Sequence, residues 1–243
     1  MAGVTAAVLM DGAGTGFSVL ALLLVLGVGL LMGAINGALI VFTRVPDIVV
    51  TLAMLFVWEG VALLILNAPG GAIAPWLREL GRGPFLVEWL PRSFVLMVVC
   101  IAIVWMPLRR SRLGLSIYAI GSDELAAYRS GVSIGRTRIA AYAICGLFCA
   151  MGGVSISMAT GIGEPIPGPY LMASVAAAVL GGVMLGGGRG ALLGPIIAVI
   201  ILRLVRMDMT LMSVDPNIAT IVEGLIMVAV VMLGGLLAMR AAR

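Results

Sequence analysis

The sequence predicts an all-α, polytopic transmembrane bundle of about seven spans, preceded by a partial N-terminal span. Of the 243 residues, 62% are hydrophobic and 11% are charged. Typical soluble domains have about 45–50% and about 25%. A soluble fold of this size cannot bury so much apolar surface, so we expect a multi-pass protein whose main solvent is the lipid bilayer. Apolar runs recur along the chain, and none has the alternation typical of strands.

The spans are predicted from the requirement for about 20 apolar residues to cross a bilayer. Gly190–Leu202 is too short to cross comfortably, which suggests a tilted, broken or re-entrant segment. Ala2–Met10 resembles the end of a further span, and no basic segment precedes it to indicate a signal peptide. In chain order the predicted spans are Ser18–Phe42, Ile48–Leu66, about Leu86–Met106, Ile139–Ile162, Leu171–Leu185, Gly190–Leu202 and Ile218–Met239.

Arginine placement predicts the orientation, because basic residues concentrate in cytoplasmic loops. The segment 108–138 carries six arginines, so we assign it to the cytoplasm. Alternating outward from it puts Arg44, Arg189, Arg240 and Arg243 on the same side. The arginines expected on the opposite side are Arg78, Arg82, Arg92, Arg203 and Arg206.

Missing residue types exclude several chemistries. The chain has no Lys, so it cannot carry a phosphate-binding loop that ends in Gly-Lys-Ser/Thr. It has no His, which excludes a Ser-His-Asp triad and a zincin helix. Three cysteines, Cys100, Cys145 and Cys149, are too few for a disulfide framework, and we expect them to pack in the core. The charge pattern indicates membrane orientation rather than nucleic-acid binding.

Polar and small residues inside the spans are the candidates for function. Gly29, Gly33 and Gly37 share one helix face with Asn36 beside them. This predicts either a helix–helix seam or the wall of a polar pathway near Asn36. Glu59 lies near the middle of its span, where a carboxylate is costly unless it faces water or a partner. It is therefore either a pathway or coupling group, or a neutral or paired structural acid. Glu223 lies nearer a span end and is expected to be structural or interfacial.

The segment 108–138 contains a short predicted helix. Asp123 and Glu124 precede a helix-prone run, and Gly131 is placed to end it at the position after the C-cap. From the residues alone, this segment is either a handle for a soluble partner or a solvated loop.

Three blocks of sequence resemble the permease subunits of bacterial ATP-binding-cassette importers, and the best match is the monosaccharide (ribose and xylose) type. Together they cover nearly the whole chain from about residue 30, and they are specific in this order and spacing. The blocks are Gly33-Ala-Ile-Asn36-Gly37 with Arg44-Val-Pro46 and Thr51-Leu52; Tyr118-Ala-Ile-Gly121 with Glu124, Ala126, Ala127, Ser130 and Gly131; and Tyr170 through Ala176-Ala177, Gly181-Gly182 and Gly187-Gly188-Arg189-Gly190 to Leu193-Gly194, continued by Val214-Asp-Pro216 and Ile221-Val222-Glu-Gly224.

The resemblance implies a single permease domain in the bacterial inner membrane. It implies pairing with a second permease subunit, cytoplasmic ATPases that bind the ATP, and a periplasmic solute-binding protein. The chain itself would have no cofactor and would catalyse no covalent chemistry. By resemblance, the segment 108–138 is the cytoplasmic "EAA" loop, and the ATPase-docking residues are Glu124, Ala126, Ala127 and Gly131.

The chain also departs from the family pattern. The family's opening spans are missing, so we expect the chain to be N-terminally incomplete. Because charges are lost or reversed, the usual sugar cannot be assumed. The alternatives are a branched-chain amino-acid permease of the same architecture, an ATP-independent carrier or channel, and a membrane scaffold. The departures are Leu125, Tyr128 and Arg129 around the Ala-Ala pair, Leu171 and Ala173 after Tyr170, and Glu59 and Glu223 where the family commonly has basic residues.

Overall fold

In the computed structural model, the secondary structure of the described residues consists of helices, and no strand is found among them. These are 1–12, 14–81, 92–166, 168, 170–184, 187–188, 190–213, 215, 218, 221–222, 224–226, 228–229 and 232. The α-helices are α1 (Ala2–Met10), α2 (Thr15–Thr43), α3 (Asp47–Ile65), α4 (Pro75–Gly81), α5 (Arg92–Cys100), α6 (Met106–Arg110), α7 (Arg112–Ser122), α8 (Glu124–Arg129), α9 (Ile134–Thr160), α10 (Tyr170–Leu180) and α11 (Leu193–Leu211).

The chain divides into two compact units. The first comprises residues 1–117 and 127–167, and the second comprises residues 118–126 and 168–243. Each unit has its own cluster of buried apolar side chains.

The first unit is built on the close packing of α2 against α9. Gly29, Gly33 and Gly37 are buried on one face of α2. A Cβ atom on Gly37 would lie 2.9 Å from Cβ of Tyr142, and one on Gly33 would overlap the Tyr142 carbonyl. Gly146 supplies the matching small residue on α9, where an added Cβ would lie 2.9 Å from Cα of Gly33. The prediction of a helix–helix seam is therefore confirmed for these glycines.

The short helix α1 is the most buried element of the first unit. Val4, Ala6 and Ala7 are completely buried between α2 and α9. The carbonyl of Ala7 accepts a hydrogen bond from the Ala72 N–H at 3.3 Å, and the loop after α9 pairs with the loop after α3 through the bridge between Gly70 and Gly163. The end of α1, the loop after α3 and the end of α9 thus lie together at one end of the unit.

A bent rod follows α4. Helix α5 continues through a π-helical turn, Ile101–Trp105, into α6. Pro107 lies just after the turn. Because proline has no backbone N–H, it cannot donate a hydrogen bond within the helix, so a local change in the hydrogen-bonding pattern is expected here. The segment Phe94–Arg110 meets α7 at a bend of 71°. Ser111 stabilises this corner, because its hydroxyl donates to the Leu108 carbonyl at 2.7 Å and accepts from the Gly114 N–H at 3.2 Å.

The second unit contains an antiparallel hairpin of α10 and α11. Ala176, Ala177, Ala198 and Leu202 form its buried core. The two helices approach most closely where Gly181 meets Gly194, since a Cβ on either glycine would overlap the backbone of the other segment. Small residues therefore determine how tightly the hairpin closes.

Several predicted spans agree with the helices, and others need correction. Among the described residues, α2, α3 and α9 are long and apolar enough to cross a membrane, and the bent rod is a fourth candidate. The predicted span Leu171–Leu185 is too long: α10 stops at Leu180, because Gly181 and Gly182 end it and the φ of Gly182 is +79°. The short span Gly190–Leu202 is wrong in length, since α11 runs from Leu193 to Leu211 through three charged residues.

The other corrections and gaps concern the cysteines and two spans. Cys145 and Cys149 are exposed on α9 rather than packed in the core, and Cys100 is half-buried. The start of the span predicted at about Leu86–Met106, and Glu223 with most of Ile218–Met239, lie outside the described residues.

Candidate functional site

Helix α8 is held at its N-terminus by Asp123. The Oδ1 atom of Asp123 accepts hydrogen bonds from the backbone N–H groups of Leu125, at 2.9 Å, and Ala126, at 3.0 Å. These are two of the N–H groups that a helix start leaves without partners. Asp123 is therefore the N-cap, and Glu124 occupies the first turn as the sequence predicts.

The same helix ends in a Schellman motif. Gly131 has a φ of +83°, and its N–H donates to the Tyr128 carbonyl at 3.0 Å. The next residue, Val132, donates to the Ala127 carbonyl at 3.1 Å. These two bonds satisfy the last carbonyls of the helix and need a left-handed residue at position 131. The predicted role of Gly131 as a helix terminator is confirmed.

The predicted docking residues differ in exposure. Ala127 is only 4% exposed and packs within the chain, whereas Glu124, Ala126 and Gly131 are exposed. Two apolar side chains on α8, Leu125 and Tyr128, are 59% and 67% exposed. Because they are three residues apart, they share one face of the helix. Comparison with the family pattern did not identify either residue as functional, because both differ from the residues usual at these positions.

Asn36 and Glu59 lie on neighbouring helices, and Trp58, which precedes Glu59 on α3, contacts Asn36. The indole Nε1–H of Trp58 donates to Oδ1 of Asn36 at 3.1 Å. Both side chains are half-buried, as is that of Glu59. Among the described residues no hydrogen-bond or ion-pair partner is found for the Glu59 carboxylate. The sequence pointed to Asn36 and Glu59, but not to Trp58, which is adjacent to Glu59 and holds Asn36 in place.

A second polar contact joins α3 and α9 near the start of α3. The Tyr142 hydroxyl donates to Oδ2 of Asp47 at 2.9 Å. Asp47 lies in the first turn of α3, where a carboxylate is also favoured by the helix dipole. Tyr142 therefore contacts α2 through its backbone and α3 through its hydroxyl. Neither role is visible from the sequence pattern, because Tyr142 sits in an otherwise apolar run.

Two of the sequence blocks meet inside the second unit. The last turn of α7 brings Gly121 onto the glycine-rich loop after α10, and a Cβ on Gly121 would lie 3.0 Å from Cα of Gly188. In return, a Cβ on Gly188 would lie 2.6 Å from the Gly121 carbonyl oxygen. The Tyr118 hydroxyl donates to the Gly190 carbonyl at 3.3 Å. Gly121 thus contacts Gly187 and Gly188 backbone to backbone, and the Tyr118 side chain contacts the Gly190 backbone.

Helices α10 and α11 also share a cation–aromatic contact. The guanidinium of Arg203 lies 5.9 Å from the centre of the Tyr170 ring, within the range of a cation–π interaction. The positions that follow Tyr170 on α10, Leu171 and Ala173, are uncharged. No cluster of His, Cys, Asp or Glu in the described part of the chain is suited to hold a metal ion.

The comparisons with known proteins decide the family. Residues 1–231 match the family described as "Branched-chain amino acid transport system / permease component". The chain belongs to this permease family. The predicted resemblance to permease subunits is therefore confirmed.

Relatives in two bacterial species carry the description "Autoinducer 2 import system permease protein LsrD". The proteins of Escherichia coli K12, Escherichia coli O157:H7 and Shigella flexneri are each 30% identical to this permease over 221 residues. The aligned region covers 87% of this chain but 66% of each relative. This chain therefore spans slightly less than two thirds of the length of these relatives. No solved structure gives a significant match.

Proposed function

We propose that this protein is the membrane-spanning permease subunit of an ATP-binding-cassette importer. It translocates a monosaccharide-like solute across the bacterial inner membrane by alternating access, driven by a separate ATPase. Membership of the permease family supports the class of function. The observation that carries the proposal is α8, a helix capped at both ends that presents Leu125 and Tyr128 to solvent.

In this proposal α8 is the docking element for the ATPase. The partner contacts its exposed residues, which are Glu124, Leu125, Ala126 and Tyr128. The buried Ala127 and the terminating Gly131 hold the helix in shape rather than touching the ATPase. A capped helix suits this role because its backbone is already ordered, so less conformational entropy is lost on docking. The absence of Lys agrees with ATP being bound elsewhere.

We assign Asn36 and Glu59 to the translocation pathway. A half-buried carboxylate in an apolar helix is costly unless it faces water or a polar partner. The Trp58 indole donates to Asn36 across α2 and α3, and Glu59 is the next residue along α3. Such groups are suited to bind the hydroxyls of a polar solute.

The solute class has two candidates. The relatives are described as autoinducer 2 import permeases, and the family description names branched-chain amino acids. The sequence blocks resemble the monosaccharide type, so a sugar-like solute is the leading choice. Uptake is measured with radiolabelled sugars, with autoinducer 2 and with branched-chain amino acids. The compounds that are transported separate the two solute classes.

An ATP-independent carrier is the second candidate, and Glu59 favours it because carriers place ionisable groups in the membrane interior. A carrier driven by protons keeps its uptake without any ATPase and loses it when the proton gradient collapses. An importer of the proposed type shows the opposite dependence.

The test is co-purification from the native membrane. A tagged copy is extracted in mild detergent, and bound proteins are identified by mass spectrometry. We expect an ABC ATPase with the wild type and its loss in the double variant Leu125→Asp/Tyr128→Asp. Leu113→Asp/Leu115→Asp, which adds the same two charges at exposed positions of α7, is the control and should retain the ATPase. A folded wild-type chain that binds no ATPase would contradict the proposal.

A further inference from the structure

We propose that the contact between Gly121 and Gly188 is the joint through which movement of the docking helix reaches the α10–α11 hairpin. This inference rests on the proposed function. It goes beyond that function because it names two residues that transmit the movement, and the proposed function assigns neither of them to the docking face or the translocation pathway.

The first support is continuity between α8 and Gly121. Asp123 caps α8 with its side chain, and its own N–H donates to the Ala119 carbonyl at 3.0 Å in the last turn of α7. Between Gly121 and the first residue of α8 there are only two residues. Since both ends of this short link are hydrogen-bonded, a displacement of α8 is passed to Gly121 with little slack.

The second support is the closeness of the contact itself. The Gly121 carbonyl and the Ser122 nitrogen would lie 2.6 Å and 2.7 Å from a Cβ at position 188. A Cβ at position 121 would overlap the Gly188 nitrogen. No residue larger than glycine is compatible with this arrangement, because its Cβ would overlap the facing backbone, so the two backbones are in direct contact. The hydrogen bond from Tyr118 to Gly190 is a second contact between α7 and the same loop.

The third support is the position of the loop within the hairpin. Gly187 and Gly188 have φ values of +87° and +73°, which fixes a chain direction that other residues rarely adopt. The loop connects the end of α10 to the start of α11, and the Gly181–Gly194 contact closes the hairpin beside it. A displacement of this loop is therefore expected to move both α10 and α11.

The experiment compares Gly121→Ala with Gly60→Ala in the permease reconstituted with its ATPase and binding protein in lipid vesicles. No atom lies within 4 Å of an added Cβ at Gly60, so this variant is the control. We expect Gly121→Ala to retain the ATPase and its basal hydrolysis, while the solute transported per ATP falls about tenfold. Tyr118→Phe should give a smaller loss, because it removes one hydrogen bond and keeps the glycine contact.

A second measurement reports the contact without transport. In Gly121→Ala, amide hydrogen exchange should accelerate both in 118–126 and in 187–192, and in neither segment of the control. If hydrogen exchange in Gly121→Ala is unchanged, or if this variant transports the normal amount of solute per ATP, the proposed transmission through Gly121 and Gly188 is wrong. The proposed importer function would not be contradicted by either result. A wild-type permease that retains no ATPase would overturn the proposed function and the transmission role with it.

Discussion

At the scale of single residues, Asn36 and Glu59 lie on adjacent helices, yet they differ in their surroundings. Asn36 accepts a hydrogen bond from Trp58, so part of its polarity is satisfied within the protein. Glu59 has no such partner in the described part of the chain, although it is half-buried. A carboxylate in this position needs water, a solute or another subunit to stabilise its charge.

We predict that Glu59→Gln lowers solute uptake about tenfold while the amount of protein in the membrane stays normal. The amide keeps the volume of the side chain but removes its charge, so the effect reports the loss of the carboxylate rather than a change in packing. Uptake and immunodetected protein are measured in the same cells. Glu79→Gln, which neutralises an exposed acid on α4, is the control and should transport normally. Wild-type uptake by Glu59→Gln would remove this residue from the pathway.

At the scale of the elements, the α2–α9 contact depends on glycine backbone meeting backbone. We predict that Gly33→Ala destabilises the protein by about 1–3 kcal/mol, because overpacking a close contact forces backbone shifts. Gly27→Ala in the same helix is the control. Its added Cβ meets no atom within 4 Å, so the better helix propensity of Ala leaves stability unchanged or raises it by up to about 1 kcal/mol.

The measurement is the unfolding midpoint of both purified variants in one mild detergent. A Gly33→Ala variant as stable as Gly27→Ala would show that α2 and α9 do not pack through this glycine.

The features that the sequence predicted are those set by neighbours along the chain. Asp123 and Gly131 act within a few residues of themselves, so the ends of α8 were readable from spacing alone. The glycine face of α2 was also readable, because residues four apart lie on one side of a helix. The start of α10 was predicted within one residue, but its end was not. A charge-free run continues past Leu180, whereas a glycine pair ends the helix there.

The features that it did not predict join residues far apart in the chain. The Trp58–Asn36 and Tyr142–Asp47 hydrogen bonds span 22 and 95 residues. The partner of each polar group depends on which helices are adjacent, and apolar periodicity does not encode that. The length of α11 was missed for a different reason. Counting uncharged residues stops at Arg203, but an arginine is tolerated in a helix when its charge finds an aromatic face or reaches the membrane surface.

At the scale of the whole molecule, the first unit has two distinct ends. The loop after α3 and the end of α9 lie together through the Gly70–Gly163 bridge. The start of α3 meets α9 in its first half through Asp47 and Tyr142, at the other end. The arginines that follow α2 and precede or begin α9 belong to this second end. Because basic residues favour the cytoplasm, the end with the Gly70–Gly163 bridge should face outward.

This orientation is tested by placing single cysteines at the two ends. In a chain in which Cys100, Cys145 and Cys149 are replaced by Ala, we predict that a membrane-impermeant maleimide labels Asn67→Cys but not Ser133→Cys in intact cells. Both positions are exposed, and Ser133 makes no capping hydrogen bond, so neither change disturbs packing. After the membrane is permeabilised, both should be labelled equally, which controls for reactivity. Labelling of Ser133→Cys in intact cells would show that the orientation is the opposite of the predicted one. Helix α8 would then lie outside the cytoplasm, where a cytoplasmic ATPase cannot bind it.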